Sequence, residues 1–409
     1  MANVASSFTL QGVGTVFEGL RQPAEARRAF LRDLRGKQSD DPGPERALRE
    51  ALDWLGRAQD NSASNDGGVA RHYSLRDGWG KSYPETTGYI VPTVLDHAQR
   101  LNDDTLRLRA RRMLDWLVSI QFPEGGFQGG VVGAEPCVPV TFNTGQILIG
   151  LAAGERDLGG YRAAMRLAAD WLVETQDADG CWRRFPTPFA APGEKAYETH
   201  VAWGLFEAAY LEPERPYGAA GLRNVDWALS WQRGNGWFDR CCLSDAANPL
   251  THTIGYVLRG VLEAYRYSGE DRYLAAAGRT AEGCLTALHD DGFLPGQLRA
   301  DWSAGANWVC LTGSVQIAHC WLLLHGHTGD ARFREAADRA LGYVRRTIDV
   351  DGPPEIRGAV KGSFPVFGDY GRYEYLNWAA KFFIDCQTLA LDMHSPRDAP
   401  ALAGEPGPP

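Results

Sequence analysis

No stretch of this 409-residue chain reaches the ~18 consecutive apolar residues that a membrane-crossing helix needs. Residues 1–14 have neither a basic segment nor an apolar run after it, so neither export nor membrane insertion is expected. Basic charge is in deficit: Lys and Arg total 42 against 51 Asp and Glu, a formal net charge of -9. Recognition of a phosphate backbone needs the opposite balance gathered on one face, which excludes nucleic acid as a partner. The eight cysteines, at 137, 181, 241, 242, 284, 310, 320 and 386, form no C-x-x-C pair. They read as reduced, mostly buried thiols of a cytoplasmic protein rather than as a disulfide or metal framework.

What is present is a recurring phrase: an aromatic residue, a Gln five positions on, then a Gly-rich turn closing on another aromatic. It runs through Trp54 and Gln59; Trp116, Gln121 and Phe127; Trp171, Gln176 and Trp182; Trp227, Gln232 and Trp237. Two worn copies follow, Cys284 and His289 with Gly292 and Phe293, then Tyr343 and Ile348 with Gly352. Six copies imply six structural units sharing one continuous core, which explains how so long a chain avoids splitting into domains.

Each unit opens with an amphipathic helix. Ala110, Met113, Leu114 and Leu117, and again Ala164, Leu167, Ala168, Trp171 and Leu172, follow helical spacing, while Arg107, Arg111, Arg112 and Asp115 point elsewhere. The second helix of each unit is apolar or small nearly all round, as at 144–153 and 201–208, and is therefore enclosed. Outer helices are expected from about 47, 105, 160, 219, 271 and 330, and inner ones from about 86, 142, 197, 251, 312 and 374, with Thr residues as N-caps of the inner set. Alternation of six outer and six inner helices predicts an all-α fold, an (α/α)6 toroid over 46–392, after an N-terminal lead-in at 1–45 and before a disordered tail at 393–409. An open superhelical array is the alternative, and it would need polar end caps that neither terminal unit shows.

The turns at 121–127 and 176–182 resemble the QW repeats of triterpene cyclases and protein prenyltransferases. The segments at 258–265 and 268–274 resemble unsaturated glucuronyl hydrolases and N-acylglucosamine 2-epimerases. Over residues ~45–391 the chain resembles the six-hairpin and squalene-cyclase-like α/α toroids, and most of all toroid proteins associated with bacterial polysaccharide synthesis. The resemblance implies the fold directly, whereas one fold hosts several chemistries.

In such a ring the inner-helix N-termini and the long outer-to-inner connections meet at one mouth, where helix dipoles favour anionic groups. The first connection supplies Arg71, His72, Tyr73, Trp79 and Tyr83, and the last supplies Asp369, Tyr370 and Arg372; units one and six should touch, so both would line one rim. Glu85, Glu198 and Glu374 are expected at matching inner-helix starts, where buried carboxyls can divide acid and base roles. His200 and His252, each after a Thr in adjacent units, are expected as neighbours able to exchange a proton with a sugar. Asn143, Gln146, Tyr256 and Trp302 complete the expected binding set.

These residue types point to a carbohydrate-processing enzyme acting on a uronic-acid- or amino-sugar-containing glycan by carboxylate and His acid–base chemistry, as glycosidase, epimerase or lyase, with a sugar as partner and no cofactor or metal. An isoprenoid cyclase or prenyltransferase is the first alternative, although the chain has neither an Asp-x-Asp-Asp nor an Asp-Asp-x-x-Asp motif, and Asp239 and Cys241 only faintly resemble a zinc pair. A glycan-binding toroid without catalysis is the second.

Overall fold

The computed structural model describes residues 17–394. The six outer helices are α2 (Pro44–Asp60), α4 (Asp104–Ser119), α6 (Arg162–Thr175), α8 (Tyr217–Leu229), α10 (Asp271–Ala287) and α12 (Ala331–Arg345). The six inner ones are α3 (Pro84–Leu101), α5 (Thr141–Leu158), α7 (Thr199–Leu211), α9 (Thr251–Ser268), α11 (Leu311–Thr328) and α13 (Asn377–His394). Each inner helix packs on its inner neighbours and on the outer helix that follows it, and α13 packs on both α2 and α3, so the ring closes. This is an (α/α)6 toroid. Because α13 runs to His394, helix occupies the start of the expected tail, and the rest of that tail lies outside the described residues. Among the described residues no helix is long and apolar enough to cross a membrane.

Burial explains the two helix types. On α4 the inward stripe is Ala110, Met113, Leu114, Trp116 and Leu117, while α5 is buried continuously from Thr141 to Gly154. Leu167 departs from the expected stripe: it is 47% exposed, and Met165 is buried instead. Small residues bring the inner helices together, since a Cβ on Gly88 would meet the backbone of Gln146 and Ile147, and one on Gly145 would meet Val201.

The repeated Gln is a staple between successive outer helices. Gln121 Nε2 donates to Gly125 O and Ala164 O (2.9 and 3.0 Å), Gln176 Nε2 to Gly180 O and Ala220 O (3.1 and 2.9 Å), and Gln232 Nε2 to Ala276 O (2.8 Å). The turn glycine has its own reason. Gly180 has φ 92°, and a Cβ there would fall on the Arg223 carbonyl of the next outer helix. Replacing Gln176 by Ala removes its three hydrogen bonds across the seam, although Gly180 O keeps Asn224 Nδ2 at 3.0 Å, so we expect a loss of about 1–2 kcal/mol, read as a lowered thermal midpoint with unchanged helix content.

The lead-in is integral to the ring. Helix α1 (Ala24–Asp33) places Phe30 4.9 Å from Phe367, ring to ring, and Asp33 accepts from Lys361 Nζ at 2.7 and 2.9 Å in a fully enclosed ion pair. Two small sheets tie the connections at the mouth. Strand β1 (His72–Ser74) lies between β2 (Gly78–Trp79) and β5 (Glu374–Leu376), with Tyr73 opposite both Trp79 and Tyr375. Strand β3 (Val309–Cys310) pairs with β4 (Ser363–Phe364). The first and last connections therefore meet, joined by main-chain hydrogen bonds.

The inner-helix threonines are not N-caps. The cap positions of α3, α5, α9 and α11 are Tyr83, Val140, Leu250 and Cys310, none with a capping side chain. Thr87 Oγ1 and Thr144 Oγ1 instead accept from Val69 N (3.0 Å) and Phe127 N (2.9 Å), pinning the preceding connection to the first turn. The first-turn N–H groups are left without side-chain acceptors at the mouth.

Candidate active site

Four consecutive inner helices contribute to one row in the centre of the ring. His200 Nδ1 bonds Gln146 Oε1 at 2.6 Å, and His252 Nδ1 bonds Gln316 Oε1 at 2.7 Å. The Tyr256 ring stands between the two imidazoles, 4.5 Å from His200 and 4.4 Å from His252. An amide oxygen only accepts, so each Nδ1 carries the proton and each Nε2 presents a lone pair. Burial holds both rings neutral: it drives His200 well below its ordinary value, helped by the nearby charges of Arg259 and Lys381, and His252 down to about 4. His200 Nε2 is buried with no partner.

Two carboxyls face the same space. Glu85, in the first turn of α3, is pushed up to about 7 by burial, against the opposing pull of the Tyr83 hydroxyl, which donates to it at 2.8 Å, and of Arg71. Glu198, just before α7, is pushed up to about 8 by burial, opposed by Lys195 and Arg183. Tyr256 and Tyr370 both feel the Glu85 charge and are held well above the usual phenol range, chiefly by burial. Around this well Asn143 Nδ2, Gln146 Nε2, Glu198 Oε2 and His200 Nε2 are all buried without a hydrogen-bond partner. Buried polar atoms are ordinarily paired, so so many orphans around one space mark a place built for a polar occupant.

The rim adds Arg71, whose guanidinium lies 5.2 Å from the Trp378 ring and 2.9 Å from Glu374, and Tyr370, whose hydroxyl accepts from Trp378 Nε1 at 2.9 Å and whose ring is 5.4 Å from His252. Beside the well a cleft of about 350 Å³ is bounded by Phe142, Arg183, Lys195, Tyr197, Glu198 and Arg240, among others.

The structure thus gathers Glu85, Glu198, His200, His252, Asn143, Gln146, Tyr256, Tyr370, Arg71 and Tyr83. Several expected residues stand elsewhere. Glu374 is not at an inner-helix start: it sits in β5, three residues ahead of α13, paired with Arg71 and 3.7 Å from His72. Tyr73 and Trp79 share the opposite face of their strands; Tyr73 donates to Glu25 at 3.1 Å and Trp79 packs on Trp54 at 5.6 Å, toward the lead-in and α2. Arg372 pairs with Glu18 at 3.1 Å, and Asp369 is exposed. Trp302 belongs to the outer layer, 5.2 Å from Trp237 and donating to Asn235 O. Asp239 is held by Arg233 at 2.7 Å, and the buried Cys241 thiol is pushed up to about 12 by desolvation. Gln316 and Lys195 carry no signal in the sequence, since both lie outside the aromatic-rich first and last connections.

No protein-family model matches this chain, and no curated protein does. Solved structures do. An unsaturated glucuronyl hydrolase specific for heparin superposes with a TM-score of 0.69 at 14% identity, over 87% of this chain and 98% of that one. A cellobiose 2-epimerase from Bacillus thermoamylovorans superposes at 0.66 and 11% identity, over 83% and 98%. A sugar epimerase from a ruminal bacterium superposes at 0.68 and 11% identity, over 83% and 97%. At such identities the likeness is one of fold, and over nearly the whole length of each neighbour this chain has the fold of (α/α)6 toroid glycosidases and epimerases.

Proposed function

We propose that this chain is a carbohydrate-processing enzyme that moves a proton at a sugar held in the central well, the sugar belonging to a uronic-acid- or amino-sugar-containing class. One observation carries the reading: His200, an imidazole with an unpartnered Nε2, packs on Tyr256 at 4.5 Å, and Glu85, a carboxylic acid held up to about 7, lies close enough for its charge to act on the same Tyr256. Glu85 can donate to a sugar oxygen while His200 accepts from carbon, and Tyr256 lies where an oxyanion could be steadied. Likeness of fold to a glucuronyl hydrolase and to sugar epimerases supports the substrate class. The unpaired amide and carboxyl atoms of the lining disfavour an isoprenoid, whose hydrocarbon chain offers them nothing to bond.

Within that class, the arrangement favours epimerisation or elimination over displacement by a carboxylate. A nucleophilic carboxylate must be ionised, whereas burial pushes Glu198 up to about 8 and Glu85 up to about 7, which leaves Glu198 mostly and Glu85 partly protonated at neutral pH. Neutral His200 suits removal of a proton from a carbon at its Nε2, and a protonated carboxyl, Glu85 or Glu198, holds the proton that is returned to the other face. The test is incubation in deuterium oxide with cellobiose, N-acetylglucosamine and uronate-bearing disaccharides. We expect one solvent deuteron in one of these sugars, or a new conjugated double bond, and neither with His200→Ala. Absence of both products across the set, with wild-type protein shown to be folded, overturns the reading.

A further inference from the structure

Lysine is rare here: five of the 42 basic residues, at 37, 81, 195, 361 and 381. Three of the five are buried, Lys195 at 7%, Lys361 at 2% and Lys381 at 1% exposure, and two have an evident reason. Lys361 pairs with Asp33 at 2.7 Å, and Lys381 with Asp385 at 2.5 Å. Lys195 has no ion pair among the described residues. A cation on a largely enclosed side chain with no counter-ion within ion-pair distance is a place that favours an entering anion.

Lys195 lines the cleft beside the well, and the cleft wall is cationic in a chain whose net charge is -9. Arg183 and Arg240 face it as well, and both share the single carboxylate of Glu194. Arg183 turns further to Asp177 and Asp179, outside the cleft lining. Glu198, the other carboxyl on the wall, leaves Oε2 without a partner. The cleft also adjoins the well. Glu198 borders both, and Phe142 stands 5.3 Å from Tyr197 on the cleft side and 5.1 Å from Tyr256 on the well side.

We propose that this cleft is an anion subsite, in which the Lys195 ammonium takes a carboxylate or sulfate ester on the sugar ring next to the one reacting in the well. The substrate is then at least a disaccharide with an acidic residue beside the reacting unit. Phe142 and Trp182 offer apolar edges to the sugar ring, and Arg183 and Arg240 set the positive field around its charged group. This extends the proposed function by naming the substrate's charge, but binding in the cleft requires no turnover.

The test is calorimetric titration of the full chain with D-glucuronate, glucose 6-sulfate and glucose. We expect one or both anions to bind at least about tenfold more tightly than glucose. Whichever anion shows the preference identifies the group as carboxylate or sulfate. Lys195→Met should erase the preference and Lys195→Arg keep it. Thr187→Glu, which adds a negative charge to the cleft wall at a half-buried surface position, should erase it without touching Lys195 and serves if Lys195→Met does not fold. A wild-type protein with no preference, or a Lys195→Met or Thr187→Glu protein that retains it, overturns the subsite. Intact anion preference with no proton transfer to any sugar instead overturns the proposed function and leaves the subsite standing.

Discussion

Replacing Glu85 by Gln should remove turnover by roughly 10²–10⁴-fold while leaving the protein at least as stable as the wild type at pH 8. The amide copies the protonated acid in shape, and its oxygen still accepts from the Tyr83 hydroxyl, so the first turn of α3 keeps its packing. What it lacks is a proton to give. The pH dependence makes the test specific. Folded Glu85 holds its proton up to about 7 against an ordinary 4.5, so the stability tied to that proton is complete below about 4.5 and is lost as pH rises through 7. Over that interval the loss is on the order of 3 kcal/mol, at 1.36 kcal/mol per unit. Glu85→Gln carries no such slope, and its thermal midpoint should gain on the wild type as pH climbs from 5 to 8. His252, lowered to about 4, works in the opposite sense, since its contribution is whole above 6.5 and fades as pH falls toward 4. A Glu85→Gln protein that keeps wild-type turnover, or whose midpoint tracks the wild type at every pH, ends the assignment of Glu85 as the proton donor.

The ring was legible because its evidence is periodic. Outer and inner helices differ in how many sides they enclose, and that difference is written in spacing alone; every helix start falls within three residues of its expected position. His200 and His252 were legible for the same reason, being matched positions in neighbouring units of one repeat. Tyr73 and Trp79 were not, because their direction depends on a sheet in which Tyr73 lies opposite Trp79 on one side and, on the other, Tyr375, about three hundred positions away. A strand alternates its faces, so once His72 turns toward Glu374 its neighbour Tyr73 must turn away. Glu374 misled in a related way: a strand occupies the segment that resembled a helix start, and α13 begins only at Asn377. Lys195 gave no periodic signal at all. Its burial is created by the third connection folding over the cleft, which no local pattern announces.

The second large effect concerns closure of the ring. Gly358→Ala should lower the thermal midpoint by roughly 3–4 °C, corresponding to about 3 kcal/mol in a chain of this length. Counting along the sequence assigns the sixth turn glycine to Gly352, four residues past Ile348. The structure assigns that place to Gly358, because the connection after α12 is longer than in the other units. Gly358 has φ 78°, and a Cβ there would meet the Glu50 carbonyl on α2, as one on Gly292 would meet Arg339 and one on Gly236 would meet Arg279. An alanine must therefore adopt a left-handed backbone and also push unit six away from unit one. That seam is where Trp54 Nε1 donates to Glu355 O at 2.8 Å and Arg57 to Arg357 O at 2.6 Å, so both bonds stretch with it. Gly278, inside α10 with ordinary φ and open space around its Cα, supplies the control: Gly278→Ala should be neutral or stabilising by up to about 1 kcal/mol. Equal midpoints for the two variants would mean that the contact between units six and one contributes little to the fold, and that the ring is held by the inner helices alone.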